Sequence, residues 1–139
     1  MRFGLNTFLF ISPFTIQSTG WFKHFKKWGF ESVEIPVEDP AHIDPARVKA
    51  ELDREGLVCG SLCAVTAAGR DLRGTPREQK IGMDYFRALL DQMVALDCPS
   101  LIGPVYSVVG RAEAVPPAEY RQQWKTVVRN LKTLARYAE

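Results

Sequence analysis

Glu34 stands between Val33 and Ile35 in a run, residues 32–37, that otherwise reads as a buried strand. A carboxylate in such a place costs several kcal/mol unless it is paired, hydrogen-bonded or given a ligand. Two readings follow: Glu34 lines a site, or it pairs with a neighbouring strand or sits at an exposed edge. Asn6 interrupts the apolar stretch 3–8 in the same way and is a second candidate for lining a pocket. Phe8, Phe10 and Phe14 supply either an apolar pocket wall or plain core. Cys63 is read as a small buried filler, because no cationic group that would lower its pKa lies near it in sequence. Tyr106 follows Gly103-Pro104 at the end of the next apolar run, where an α/β fold places its ligand-binding loops. A loop at 66–74 carries Arg70 and Asp71, the latter readable as a solvated turn residue.

Self-contained catalytic motifs are missing. There is no G-x-x-x-x-G-K-[ST], no G-x-G-x-x-G after the first strand and no G-x-S-x-G around Ser61. His24 and His42 have no neighbouring nucleophile or ligand pair and are read as surface or packing residues. Cys59 and Cys63 are spaced C-x-x-x-C without a His pair, which argues against zinc. An odd count of 3 cysteines suggests reduced thiols and a cytoplasmic location.

These candidates need elements to hold them. Short apolar runs at 3–8, 32–37, 57–65 and 100–105 predict strands buried on both faces of a parallel sheet. Helices are expected between them. Trp21, Phe25 and Trp28 make one stripe, ended by Gly29. Asp44-Pro45 starts a second helix and Gly56 closes it. Thr75-Pro76-Arg77-Glu78 reads as a capping box, followed by a stripe of Tyr85, Leu89, Met93 and Leu96. After Pro116-Pro117, a fourth helix places Tyr120, Trp124, Val127, Leu131 and Leu134 on one side.

Four βα units of roughly 35 residues fit an α/β protein with right-handed crossovers. Either a small open doubly wound sheet or half of a (β/α)8 TIM barrel satisfies the pattern, since a whole barrel takes about 250 residues. The last helix runs to Glu139 without a terminating Gly, Asn or Pro, so the chain is expected to be the first half of a longer barrel. Its 139 residues form one domain by length, 46% apolar and 24% charged, which excludes a disordered chain. With 18 Lys+Arg against 16 Asp+Glu, there is no electrostatic case for nucleic acid or for a membrane surface. The basic group Lys23, Lys26 and Lys27 reads as a solvated helix face. The apolar start lacks a cleavage signature, so a first strand is preferred to a signal peptide.

The segments Phe3-Gly4-Leu5-Asn6-Thr7 and Trp28-Gly29-Phe30-Glu31-Ser32-Val33-Glu34-Ile35 resemble the opening of xylose-isomerase-like sugar isomerases and epimerases. Gly56-Leu57, Asp71-Leu72-Arg73-Gly74-Thr75-Pro76 and Gly103-Pro104-Val105-Tyr106-Ser107 continue the likeness in order and spacing over the whole chain. Within that superfamily it is most similar to the D-tagatose/D-psicose 3-epimerases. The resemblance implies a half-barrel and a divalent metal (Mn2+, Co2+ or Mg2+) held by two Glu, one Asp and one His. It also implies that two metal-bound glutamates exchange the proton on C3 of a ketose through an enediolate. All of those residues belong to the family's second half, so no catalytic or metal-binding residue is assigned here. What carries over is a share of the sugar pocket. Asn6 and Phe8 fall on an apolar wall, and several members have an aromatic at the Asn6 position. Cys63, or Leu62, matches a strand-three position where some members touch sugar with a cysteine. The tryptophan that some epimerases carry after strand four is replaced by the 108–110 region. The expected substrate-binding residues are therefore Asn6, Phe8, Glu34, Cys63 and Tyr106. The function implied is the pocket-bearing half of a ketose 3-epimerase-like enzyme, inactive alone. The alternative is a non-catalytic half-barrel that dimerises through its open edges as a sugar-binding or assembly module. An open flavodoxin-like domain for an anionic ligand is a weaker fit, because the first loop is not glycine-rich.

Overall fold

The computed structural model describes Met1 and residues 3–139, which separate into two compact units, residues 1–64 with 89–103 and residues 65–88 with 104–139. The first unit holds a four-stranded parallel sheet in the order β1 (Gly4–Asn6), β2 (Ser32–Val37), β3 (Val58–Ala64), β4 (Leu101–Ile102). Sequential order with parallel neighbours is what successive βα units of one hand produce. Helices α1 (Phe22–Lys27), α2 (Pro45–Glu55), α3 (Pro76–Ala95) and α4 (Pro117–Ala138) alternate with the strands, which gives the half TIM barrel expected from the sequence.

Side chains alternate across each strand, so one face of β2 carries Val33, Ile35 and Val37, all buried, and the other carries Glu34. β3 would follow the same rule but for a register shift: Val33 pairs with Cys59 while Glu34 pairs with Ser61, which leaves Gly60 as the extra residue. That bulge keeps Cys59, Leu62 and Ala64 on the buried face and turns Ser61 and Cys63 onto the face of Glu34.

Two strands are shorter than their apolar runs. The 3–8 run leaves the sheet after Asn6, whose Oδ1 accepts from the Phe8 N–H at 2.8 Å and caps a 3-10 turn over Thr7–Leu9. The fourth run stops at Ile102 because Gly103, at φ +116°, bends the backbone against Ala64.

The helix signals hold where capping chemistry is involved. Asp44 accepts from the Arg47 N–H, Pro45 opens α2 and Gly56 closes it in the left-handed conformation. Thr75 and Glu78 form the reciprocal capping box of α3. The aromatic stripes fare differently. In α1 Phe22 and Phe25 are the buried residues, while Trp21 and Trp28 beside it stay largely exposed. Trp21 belongs to a preceding 3-10 stretch (Ile16–Trp21), so α1 starts a residue later and its inward face rotates. Phe14 packs on Phe22 as plain core, and Phe10 lies against Trp21, Phe25 and Trp28. Along α4, Val127 and Leu134 are buried, whereas Tyr120 and Trp124 are exposed. His24 sits exposed between the two tryptophan rings, and His42 is exposed at the end of a short 3-10 turn.

Among the described residues, no helix is long and apolar enough to cross a membrane.

Candidate functional site

Three parallel strands bring three polar side chains into one row. Asn6 on β1 pairs in register with Glu34 on β2, and Glu34 with Ser61 on β3. Asn6 Nδ2 donates to Glu34 Oε1 at 2.6 Å, and Ser61 Oγ donates to Oε2 at 2.6 Å. The Asn6 side chain is held at both ends, since its Oδ1 accepts the Phe8 N–H. Thr7 Oγ1 donates to the Glu34 carbonyl at 2.9 Å and fixes the backbone beneath. Among the described residues Glu34 therefore has no salt bridge with a neighbouring strand; a neutral amide and a hydroxyl satisfy one lone pair on each of its oxygens.

This arrangement leaves chemistry to spare. An ionised carboxylate offers about four acceptor sites, and two are occupied. Glu34, Asn6 and Ser61 are each only part-buried, so the remaining acceptors and the second Asn6 N–H face outward. Cys63 shares that face. Its thiol pKa is raised, first by burial and then by the Glu34 and Glu38 carboxylates, so it stays protonated and unreactive. At the rim, Glu38 accepts from Ser12 Oγ at 2.9 Å and from the Phe14 N–H at 3.3 Å, tying down the loop that follows Phe8. Phe8 itself is half exposed on the 3-10 turn.

Of the sequence candidates, Asn6 and Glu34 touch, Cys63 joins them on the same face, and Phe8 leans on the Asn6 cap. Ser61 completes the row; the sequence places it with Cys63 at the end of the third strand but gives it no role in binding. The signal for it was its β3 position, masked by the bulge at Gly60.

Tyr106 belongs to the second unit. It is exposed and lines an open groove of about 630 Å³ with Arg73, Arg111, Tyr120, Trp124 and Val128. In the same unit Asp71 overturns its reading as a solvated turn residue: it is 1% exposed. Its Oδ1 accepts the Arg73 N–H at 2.8 Å and its Oδ2 the Arg111 Nη1 at 2.7 Å. Burial pushes the Asp71 pKa up, but the hydrogen bonds from Arg73 and Arg111 outweigh it and the net shift is downward.

Among the described residues, no three His, Cys, Asp or Glu side chains converge to hold a metal ion. Glu34 faces an amide and a hydroxyl, neither of which substitutes for a second carboxylate or an imidazole. The row does not fit the divalent ion that the resemblance implies.

Comparison with known proteins identifies the fold family. The family model described as xylose isomerase-like TIM barrel matches residues 22–139. The chain belongs to that family. Solved structures agree on the fold. A Methylomonas D-allulose 3-epimerase in complex with D-allulose superposes with a TM-score of 0.85 at 23% identity, over 99% of this chain and 47% of that one. An L-ribulose 3-epimerase gives 0.84 at 19% identity, over 99% and 46%. A D-psicose 3-epimerase from Clostridium cellulolyticum H10 with D-tagatose gives 0.81 at 17%, over 99% and 48%. This member of the xylose isomerase-like barrels thus spans about half the length of the structures it matches. No protein among the curated ones matches it in sequence.

Proposed function

We propose that this chain forms the first half of a ketose 3-epimerase-like barrel and supplies a hydroxyl-binding wall of the sugar pocket, with no proton transfer of its own. The observation that carries this reading is the Asn6–Glu34–Ser61 row, a carboxylate already oriented by two neutral neighbours and still open to further donors. Such an acceptor-rich row complements adjacent sugar hydroxyls, each of which donates one proton. The half-exposed Phe8 ring offers an apolar face for a sugar's C–H edge. Cys63 contributes a neutral thiol beside the carboxylate, and Tyr106 is assigned to the pocket on the resemblance alone. Metal ligation and proton exchange at C3 would fall to residues outside the described ones. The three free cysteines favour a reducing compartment such as the cytoplasm.

Calorimetric titration with D-allulose, D-psicose's 3-epimer D-fructose and an aldose tests this reading. Ketose binding on the order of millimolar is expected, because only one wall of a pocket is present. Glu34→Leu should abolish it, and chelator should leave it unchanged. Equal heats for parent and Glu34→Leu would refute the assignment.

A second reading rests on the open edges of the sheet. β1 and β4 each have a partner on one side only among the described residues, and the groove around Trp124 is apolar on a helix that leaves it 58% exposed. Unpaired edges and exposed aromatic faces favour association with a second copy across a two-fold axis. Sedimentation equilibrium at micromolar concentration should give a dimer; a monomer at all concentrations would exclude this arrangement.

A further inference from the structure

The face of the sheet opposite Glu34 carries a feature that the sugar-site reading does not use. Leu62 on β3 pairs with Leu101 on β4, and the Leu62 N–H donates to the Ser100 carbonyl at 2.9 Å. Cys59 lies three residues before Leu62, on the far side of the Gly60 bulge, and Cys98 lies two residues before Ser100, in the segment that enters β4 beside β3. Neighbouring strands lie about 4.8 Å apart, within the Cα separation that a disulfide spans. Both side chains are buried, at 3% and 7% exposure, and both are free thiols. For each thiol the other sulfur is the largest influence on its pKa, while the thiols themselves donate to the Ser61 and Ser100 carbonyls. A crevice of about 90 Å³, lined by Lys49, Leu57, Cys59, Leu96 and Asp97, reaches Cys59 beside the residues that precede Cys98. That is room for a molecule a little larger than water.

We propose that Cys59 and Cys98 form a redox-active dithiol that hydrogen peroxide closes into an intrachain disulfide. The electrons balance in two steps. The sulfur of Cys98, as thiolate, attacks one peroxide oxygen; the O–O bond breaks, Cys98 becomes a sulfenic acid and the departing hydroxide takes up a proton as water. The Cys59 sulfur then attacks the sulfenic sulfur, an S–S bond forms, the S–OH bond breaks, and the hydroxyl leaves as water with the Cys59 proton. Two thiols are oxidised by two electrons and one peroxide is reduced to two waters.

The electrostatics divide the roles. The Cys59 sulfur draws the Cys98 pKa down to about 7 against the opposing effect of burial, with help from the Ser100 and Leu62 amides. The same pairing, followed by burial, pushes the Cys59 thiol up, which keeps it a protonated resolving group. Cys63 has no such partner, and burial beside two carboxylates keeps it inert. The bond would tie β3 to the segment that enters β4, a covalent clamp on the shortest strand pairing of the sheet.

The test is peroxide treatment of the native protein, followed by denaturation in excess alkylating reagent, which blocks every remaining thiol, and by peptide mapping. The expected product has lost two hydrogens, retains one alkylatable thiol at Cys63, and yields a peptide pair joined through Cys59 and Cys98. In Cys59→Ser the disulfide should vanish and a dimedone-reactive sulfenic acid should accumulate at Cys98. The proposal is overturned if peroxide leaves all three thiols of the native protein alkylatable. It is equally overturned if Cys63 is consumed first, or if the only disulfides join two chains. The mapping needs no variant, so a folding failure in Cys59→Ser does not obscure it.

Discussion

Asp71→Ala is expected to lower unfolding stability by about 3 kcal/mol, the lower end of the range for breaking a buried ion pair. Asp71 is the point where two loops of the second unit meet, because Arg73 comes from its own loop and Arg111 from the segment after β4. Removing the carboxylate strands the Arg73 guanidinium, whose side chain is only 14% exposed, while Arg111 at 35% recovers part of its loss from water. That difference puts the figure at the low end. Asp71→Asn keeps the acceptor for the Arg73 N–H and should recover roughly a third of the loss. The pH dependence has a definite sign. The folded pKa of Asp71 lies below its unfolded value, so its contribution is complete above the unfolded value of about 4 and is lost as pH falls through the folded one. Urea midpoints across pH 2 to 7 (about five points) check both statements. The parent should lose stability below about pH 4 more steeply than Asp71→Ala. Parallel curves would mean that the pair contributes nothing.

Gly103→Ala is expected to cost about 2–4 kcal/mol, for two separable reasons. Its φ of +116° is a conformation that side chains with a Cβ rarely adopt, and that Cβ would lie 2.5 Å from the Ala64 carbonyl oxygen and 3.2 Å from its nitrogen. Backbone atoms of a central strand cannot move aside as a flexible side chain would. Gly110→Ala provides the control. Gly110 has φ +80° with nothing within 4 Å of its would-be Cβ, so it should lose only the conformational part, about 1 kcal/mol. Urea denaturation of both variants, with amide exchange at Leu62 as a local readout, separates the two terms. Equal losses at 103 and 110 would rule out the steric argument.

The sequence carried the architecture because the fold is built from repeated local decisions. Asp44, Pro45 and Gly56 bracket α2 by capping alone, and Thr75 with Glu78 starts α3, so no tertiary knowledge was needed there. Glu34 was legible for the opposite reason: a carboxylate among Val33, Ile35 and Val37 is costly anywhere but at a site or a pairing. Ser61 was legible as a residue at the end of strand three, but not as a partner of Glu34. Strict alternation from Cys59 would put 59, 61 and 63 on one face, and only the bulge at Gly60, a property of strand pairing, divides them. Asp71 was misread since its partner Arg111 is forty positions away, a contact no local pattern encodes. Trp21 and Trp28 do flank Phe25 in one stripe, but Phe22 and Phe25 take the buried places and leave both tryptophans largely exposed.

The central claim is that the Asn6–Glu34–Ser61 row recognises sugar hydroxyls. A ketose titration of isotope-labelled protein, followed through the backbone amides and the Asn6 side-chain amide, addresses it residue by residue. The account predicts saturable shifts with a dissociation constant on the order of millimolar, concentrated at Asn6, Phe8, Glu34, Ser61 and Cys63 and absent in Glu34→Leu. Saturable shifts elsewhere that persist in Glu34→Leu, or no shift at these residues up to saturating sugar, would contradict it.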